Sequence, residues 1–238
     1  MYKFTGISAE SFAFMRNLKA NNNRLWFQRH RQQWENARDE LKALCRKLSP
    51  FINDLDPELE TEPKTGRTLG RINRDIRFTR DKHPYRESVD LLFFPSSYGR
   101  TKAPGLAVGI TPVDSYIGTW LGSSMTDWRQ RLAANIAAHP EFFQQYLEQN
   151  GNFSDLSLRS ESYKKSRVKG LPPLAGEWAQ RKYYYMALLL KADDVVSLGE
   201  SFTEIIEETF IRLFPLFLYA TSQELAPELE RFRRKFER

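Results

Sequence analysis

The densest chemistry in this chain lies in RINRDIRFTRDKHPYRES, residues 71–88. Arg71, Arg74 and Arg77 stand at intervals of three, with Asp75 between the last two, and Asp81-Lys82 repeats the acid–base pairing before Pro84-Tyr85. Guanidinium is a planar fork of donors that matches phosphate and carboxylate. An aspartate beside it can fix its orientation. A proline stiffens the chain before a tyrosine whose hydroxyl can add a hydrogen bond. The segment therefore reads first as an anion grip made of Arg71, Arg74, Asp75, Arg77, Asp81, Lys82 and Tyr85. Arg74 and Arg77 would contact the anion, and Asp75 would orient them. Lys82 and Tyr85 would close the site.

Two other readings use the same residues. In an enzyme acting on a phosphate ester, Asp75 or Asp81 would be the acid or base and the arginines would stabilise developing negative charge. In a structural or protein-interaction domain, the Arg–Asp pairs would only brace a loop, and Phe78 and Tyr85 would fill a core.

The charge distribution favours a patch. The chain of 238 residues carries 36 Lys plus Arg against 30 Asp plus Glu, a formal charge of +6. Residues 64–86 hold eight basic and two acidic side chains, which is the whole excess. A basic balance drawn from one segment predicts a local anion-attracting surface rather than a diffuse one.

The elements that must position this segment follow from periodicity and punctuation. Ser8 caps a helix carrying Phe12, Phe14, Met15 and Leu18, which stops near Asn21–Asn23. Trp26, His30, Trp34, Ala37, Leu41, Leu44 and Leu48 share one face of a long helix that Pro50 should end or bend. Cys45 lies beside that stripe and reads as a small buried core residue. Residues 56–70 read as loop. Residues 71–78 read as a strand with Ile72, Ile76 and Phe78 on one side, although Arg74 falls on that side too, and a helix is the alternative reading. Further strands are expected at 89–94, 106–111, 115–121 and 183–190, with a hairpin connection at 112–114. Helices are expected at 127–138 and 141–150, from Ser201 through Phe217 or beyond, and at 227–236. Residues 151–176 read as irregular. Helices first, strands in the middle and helices last give a single α+β domain over 1–238 with a mostly antiparallel sheet.

Several function classes lack their motifs. There is no phosphate-binding Walker loop, dinucleotide glycine fingerprint or nucleophile elbow. The histidines, His30, His83 and His139, are scattered, so no zinc site is expected, and no cofactor is implied. Adjacent Asp193 and Asp194 would point to opposite faces of a strand, as at a solvated strand end. One cysteine permits no disulfide within the chain. The start, MYKFTGISAE, lacks a signal-peptide core, and the apolar run at 213–220 is too short to span a bilayer. A cytoplasmic protein without a membrane partner is expected, and its oligomeric state is left open.

Nucleic acid is a weaker partner reading. Tyr163 precedes the basic run Lys164, Lys165, Arg167 and Lys169, and Arg181-Lys182 precedes Tyr183, Tyr184 and Tyr185. Cations interleaved with aromatics can hold phosphates and stack bases. Three successive tyrosines on a strand alternate faces, so at least one should be core.

The pattern Arg71-x-x-Arg74-Asp75-x-Arg77-Phe78-x-x-Asp81-Lys82-x-Pro84-Tyr85 resembles the signature of a widespread conserved-hypothetical family of bacteria and fungi, a domain of unknown function. The similarity extends to Asn22-Asn23-Arg24-x-Trp26-Phe27 and, faintly, to Lys169-Gly170. This chain departs from the family where it reads GLAVGITPVDSYIGTWL, and where Arg86 follows the Pro-Tyr pair in place of lysine. The resemblance implies an architecture and a site location, not a reaction.

Overall fold

The computed structural model describes residues 3–164 and 169–236. In chain order the elements are helices α1 (Ala9–Ala20), α2 (Arg24–Arg29) and α3 (Arg31–Leu55), then strands β1 (Val89–Phe93), β2 (Gly105–Ile110) and β3 (Asp114–Leu121). Helices α4 (Thr126–Ala138) and α5 (Pro140–Gln149) follow, then β4 (Ser157–Ser162), α6 (Pro173–Ala179) and β5 (Arg181–Lys191). The chain closes with α7 (Ala192–Leu198), α8 (Phe202–Thr221) and α9 (Leu225–Phe236). The strands form one antiparallel sheet in the order β1-β2-β3-β5-β4, so the expected α+β class holds, with helices at both ends of the chain.

The chain divides into two compact units. One comprises residues up to Phe93 together with Ala107–Ile117 and Leu189–Glu207. The other comprises Phe94–Leu106, Gly118–Leu188 and the residues from Glu208 onward.

The first unit is built on α1 and α3. Ser8 caps α1 as expected, its hydroxyl accepting the Ser11 amide at 3.2 Å. Phe12, Phe14, Met15 and Leu18 are buried. Glu40, itself buried in α3, accepts the Ser8 amide at 3.1 Å and the Ser11 hydroxyl at 2.7 Å. A buried carboxylate thus ends on the donors at the start of α1, where the helix dipole favours negative charge.

The expected long helix is interrupted at its start. It breaks at His30, whose ring stacks on Trp26 at 4.0 Å, leaving α2 and α3 as separate pieces. Pro50 does not end α3. Leu48, Ile52 and Leu55 keep the apolar stripe buried through the proline, which outweighs the one amide it removes. Cys45 is buried as expected, and burial pushes its thiol up to about 12. Asp193 and Asp194 are exposed just past the end of β5, in the first turn of α7, where the helix dipole suits them.

The second unit has its own core. On β5, Tyr184 and Met186 face inward and are fully covered. Trp178 of α6 meets Tyr184 edge-on at 5.4 Å, and Phe143 of α5 packs on Tyr219 of α8 at 4.6 Å. Asn135 of α4 donates to the Tyr219 and Ser222 carbonyls at 3.0 and 3.1 Å, holding the end of α8. Residues 151–176 are less irregular than expected, since they contain β4 and the start of α6.

Among the described residues, no helix is long and apolar enough to cross a membrane, and no cluster of His, Cys, Asp or Glu could hold a metal ion.

Candidate functional site

Residues 71–78 do not form a strand. The segment is one arm of a loop that closes through a single isolated bridge, Asn73 opposite Tyr85. The Arg74 amide donates to the Pro84 carbonyl at 2.8 Å, and the Arg86 amide to the Ile72 carbonyl at 2.7 Å. Beyond those bonds the loop is stitched by its own side chains. The reason is visible in burial: Ile72 is covered, but Phe78 is 90% exposed. The apparent alternation of apolar residues therefore has no second layer to face, and a strand gains nothing there.

The base of the loop is fastened to α2 and to the turn that precedes it. Asn22 forms a two-point clamp on the backbone of Tyr85. Its side-chain oxygen accepts the Tyr85 amide at 3.0 Å, and its side-chain amide donates to the Tyr85 carbonyl at 3.0 Å. Asn23 next to it caps α2 by accepting the Trp26 amide at 2.9 Å. Phe27 of α2 stacks on the Tyr85 ring at 4.0 Å and 15°. Phe27 also belongs to an aromatic cluster with Phe14 and Trp34. The two sequence segments singled out separately, 22–27 and 71–85, are thus two halves of one joint. Tyr85 is buried in that joint.

The charged side chains pair within the loop. Asp75 takes Arg77, not Arg74: Nε and Nη2 of Arg77 donate to its two carboxylate oxygens at 2.9 and 2.7 Å, and the Arg77 amide adds a third bond at 3.2 Å. The side-chain hydrogen bonds from Arg77 hold the Asp75 carboxyl down to about 2. Asp81 takes Arg74 in an ion pair. It also accepts the His83 amide at 3.0 Å, with His83 Nδ1 at 2.9 Å. Arg74 first, and then the His83 amide, hold the Asp81 carboxyl below its usual range. Lys82 donates to the Ile76 carbonyl at 3.0 Å, and the Thr79 hydroxyl to the Asp81 carbonyl at 2.6 Å.

Several donors remain after this pairing. Arg77 spends one edge of its fork on Asp75; its other edge keeps N–H groups, and the side chain is 75% exposed. Arg71, Arg80 and Arg86 are exposed, and none has a carboxylate partner among the described residues. Among the described residues, Lys82 meets only a neutral carbonyl. Residues 71–86 contain six basic and two acidic side chains, so the loop keeps a formal charge of +4. Arg67 and Lys64, the other cations of the basic window, lie against Glu60 and Glu62. Sequence reasoning did not single out Asn22 as a clamp, or Arg80 and Arg86 as cations whose side chains have no carboxylate partner among the described residues. The last two were visible only as part of the charge excess.

The basic run beyond Tyr163 is described only in part. Lys164 and Lys169 are exposed, whereas Lys165 and Arg167 lie outside the described residues.

The family described as conserved hypothetical protein (DUF2461) matches residues 10–219, which include both halves of the joint and the whole loop. No curated protein matches the chain. The chain belongs to this conserved hypothetical family.

Proposed function

We propose that this protein is a binding module for a phosphate- or carboxylate-bearing ligand, with the 71–86 loop as its contact surface. The observation that carries the reading is the division of labour among the arginines. Asp75 and Asp81 hold Arg77 and Arg74 in place, while Arg71, Arg80 and Arg86, on the same exposed loop, have no carboxylate partners among the described residues. Arg77 is oriented by its aspartate with one edge still open, the arrangement suited to bidentate capture of an anion. The Asn22 clamp and the Phe27–Tyr85 stack fix the base of the loop, so less freedom is lost on binding.

Binding is supported better than acid–base catalysis. A general base at neutral pH works best with a pKa near the operating pH. Asp75 and Asp81 are both pushed the other way, and both are engaged by guanidinium.

The test is calorimetric titration with inorganic pyrophosphate and with citrate at low salt. Saturable binding is expected, weakened at least about tenfold in the triple variant Arg71→Ala/Arg80→Ala/Arg86→Ala. That factor corresponds to about 1.4 kcal/mol, close to the lower end of the roughly 1.5–3 kcal/mol that one charge-assisted hydrogen bond contributes. A triple variant that binds both probes as the wild type does overturns the reading. A purely bracing role for the motif is the second reading, and the Asn22 clamp favours it. Asn22→Ala leaves the Tyr85 backbone without both bonds and is expected to cost about 1–3 kcal/mol in chemical denaturation. If that loss is found while neither probe binds the wild type, the loop is a brace only.

A further inference from the structure

A second feature lies in the other unit and involves none of the loop residues. Strand β5 alternates strictly there. Tyr184 and Met186 are buried, whereas Tyr183 is half-buried and Tyr185 is 44% exposed. The face bearing Tyr183 and Tyr185 is not a scatter of single aromatics. Trp120 of β3 lies beside Tyr185 with ring centroids 5.9 Å apart and planes within 15°. Tyr183 meets Tyr185 edge-on at 5.8 Å. On the far side, β4 pairs antiparallel with β5 and places Arg159 directly opposite Tyr185. Residues opposite each other in an antiparallel pair project to the same face. Trp120, Tyr185 and Arg159 therefore form a row across three strands, and Arg159 is exposed with no carboxylate partner among the described residues.

Further cations lie along β5 from Tyr185, beyond Tyr183. Arg129 of α4 and Lys182 both lie over the ring of Tyr163, at 5.6 and 5.5 Å. Arg129 is steadied by the carbonyls of Ser123 and Lys182, at 3.3 and 3.4 Å. Glu161 pairs with Lys182. Among these four side chains, Arg129, Arg159 and Lys182 stand against Glu161 alone.

We propose that this sheet face, centred on Trp120, Tyr185 and Arg159, is a platform for single-stranded nucleic acid. Tyr185 is exposed while Trp120 and Tyr183 are half-buried; flat rings at such a surface accept unpaired bases by stacking, and the cations near them accept the phosphates between those bases. The charge selects a polyanion over a neutral sugar. The aromatic row selects a strand whose bases are splayed over a duplex whose bases face each other.

The experiment is fluorescence anisotropy with a labelled oligothymidylate at low salt, alongside the same length of duplex and a neutral oligosaccharide as competitor. Saturable binding to the single strand is expected, with the duplex weaker and the sugar without effect. Tyr185→Ala should weaken binding about tenfold, the loss of one stacked base. Tyr185→Phe, which keeps the ring, should bind as the wild type. Arg159→Ala should weaken binding and reduce the slope of log affinity against log salt by about 0.7, one phosphate contact on a single strand. Should Tyr185→Ala fail to fold, Arg159→Ala and Tyr185→Phe still decide. Absence of saturable binding, a duplex preferred over the single strand, or displacement by the sugar overturns the proposal. Binding lost in the Arg71/Arg80/Arg86 triple variant but unchanged in Arg159→Ala and in folded Tyr185→Ala also overturns it, and moves the contact to the loop.

Discussion

Asp75 gives both oxygens to Arg77, and this single choice sets what the loop can offer. A carboxylate that accepts two side-chain bonds and one amide favours its ionised form, so its pKa falls from the ordinary 3.8 to about 2. The sign of the pH dependence follows. A depressed folded-state pKa supplies stability that is complete above the unfolded value and is lost as pH falls through the folded one. The Asp75–Arg77 pair should therefore be intact at pH 4 and dissolve as the pH falls towards about 2. Carboxyl carbon shifts followed by NMR should place the Asp75 midpoint near 2, and Arg77→Ala should return it towards 3.8. An Asp75 midpoint that does not respond to Arg77→Ala would mean that the pair does not form in solution. The sequence left Asp75 to choose between two flanking arginines. Chain spacing alone could not decide, because the choice depends on a loop that carries Arg74 towards Asp81, seven residues away.

Elements with strong periodicity or clear stops were legible, and those without were not. Ser8 and the apolar positions of α1 announced that helix, and the continuous apolar run at 183–190 announced β5 as a strand. Strand β4 was silent because SLRSES is polar on both faces; it pairs only with β5 at the edge of the sheet and is largely exposed. Residues 71–78 failed in the opposite sense, since their alternation is real but meets no opposing layer. Gly118 is a case where packing gave no sequence signal at all. It sits inside β3, and a side-chain carbon there would fall inside the Met186 carbonyl oxygen and against Ala187 of β5. Only a bare backbone lets these strands approach so closely. Gly118→Ala should therefore cost about 3 kcal/mol or prevent folding, by strand separation and strain. Gly176 in α6 is the contrast, because an added carbon there meets Leu171 at an ordinary 3.7 Å. Gly176→Ala should be neutral or stabilising by up to about 1 kcal/mol. Urea denaturation of the two variants checks both, and equal stabilities would remove the close-approach account.

At the scale of the whole molecule, the distribution of charge matters more than its sum. The sequence placed the entire formal excess of +6 within residues 64–86, and that much was readable without coordinates. What it could not give is how much of the excess is cancelled locally. Glu60 and Glu62 lie against Arg67 and Lys64, and Asp75 and Asp81 cancel two arginines, so the surplus collects on Arg71, Arg80, Lys82 and Arg86. A concentrated surplus acts on a polyanion more strongly than the same charge dispersed, because screening confines each cation's reach to roughly 8–10 Å at moderate salt. Two variants of equal net charge separate these cases. One removes Arg71, Arg80 and Arg86 from the loop; the other removes Arg16, Lys191 and Arg231, which are exposed elsewhere and have no carboxylate partners among the described residues. Both lower the formal charge by three from +6. On a heparin column the loop variant should elute at clearly lower salt than the dispersed one, which should stay near the wild type. Coincident elution of the two variants would mean that the protein meets anions through its total charge, and the loop would lose its claim to be the docking surface.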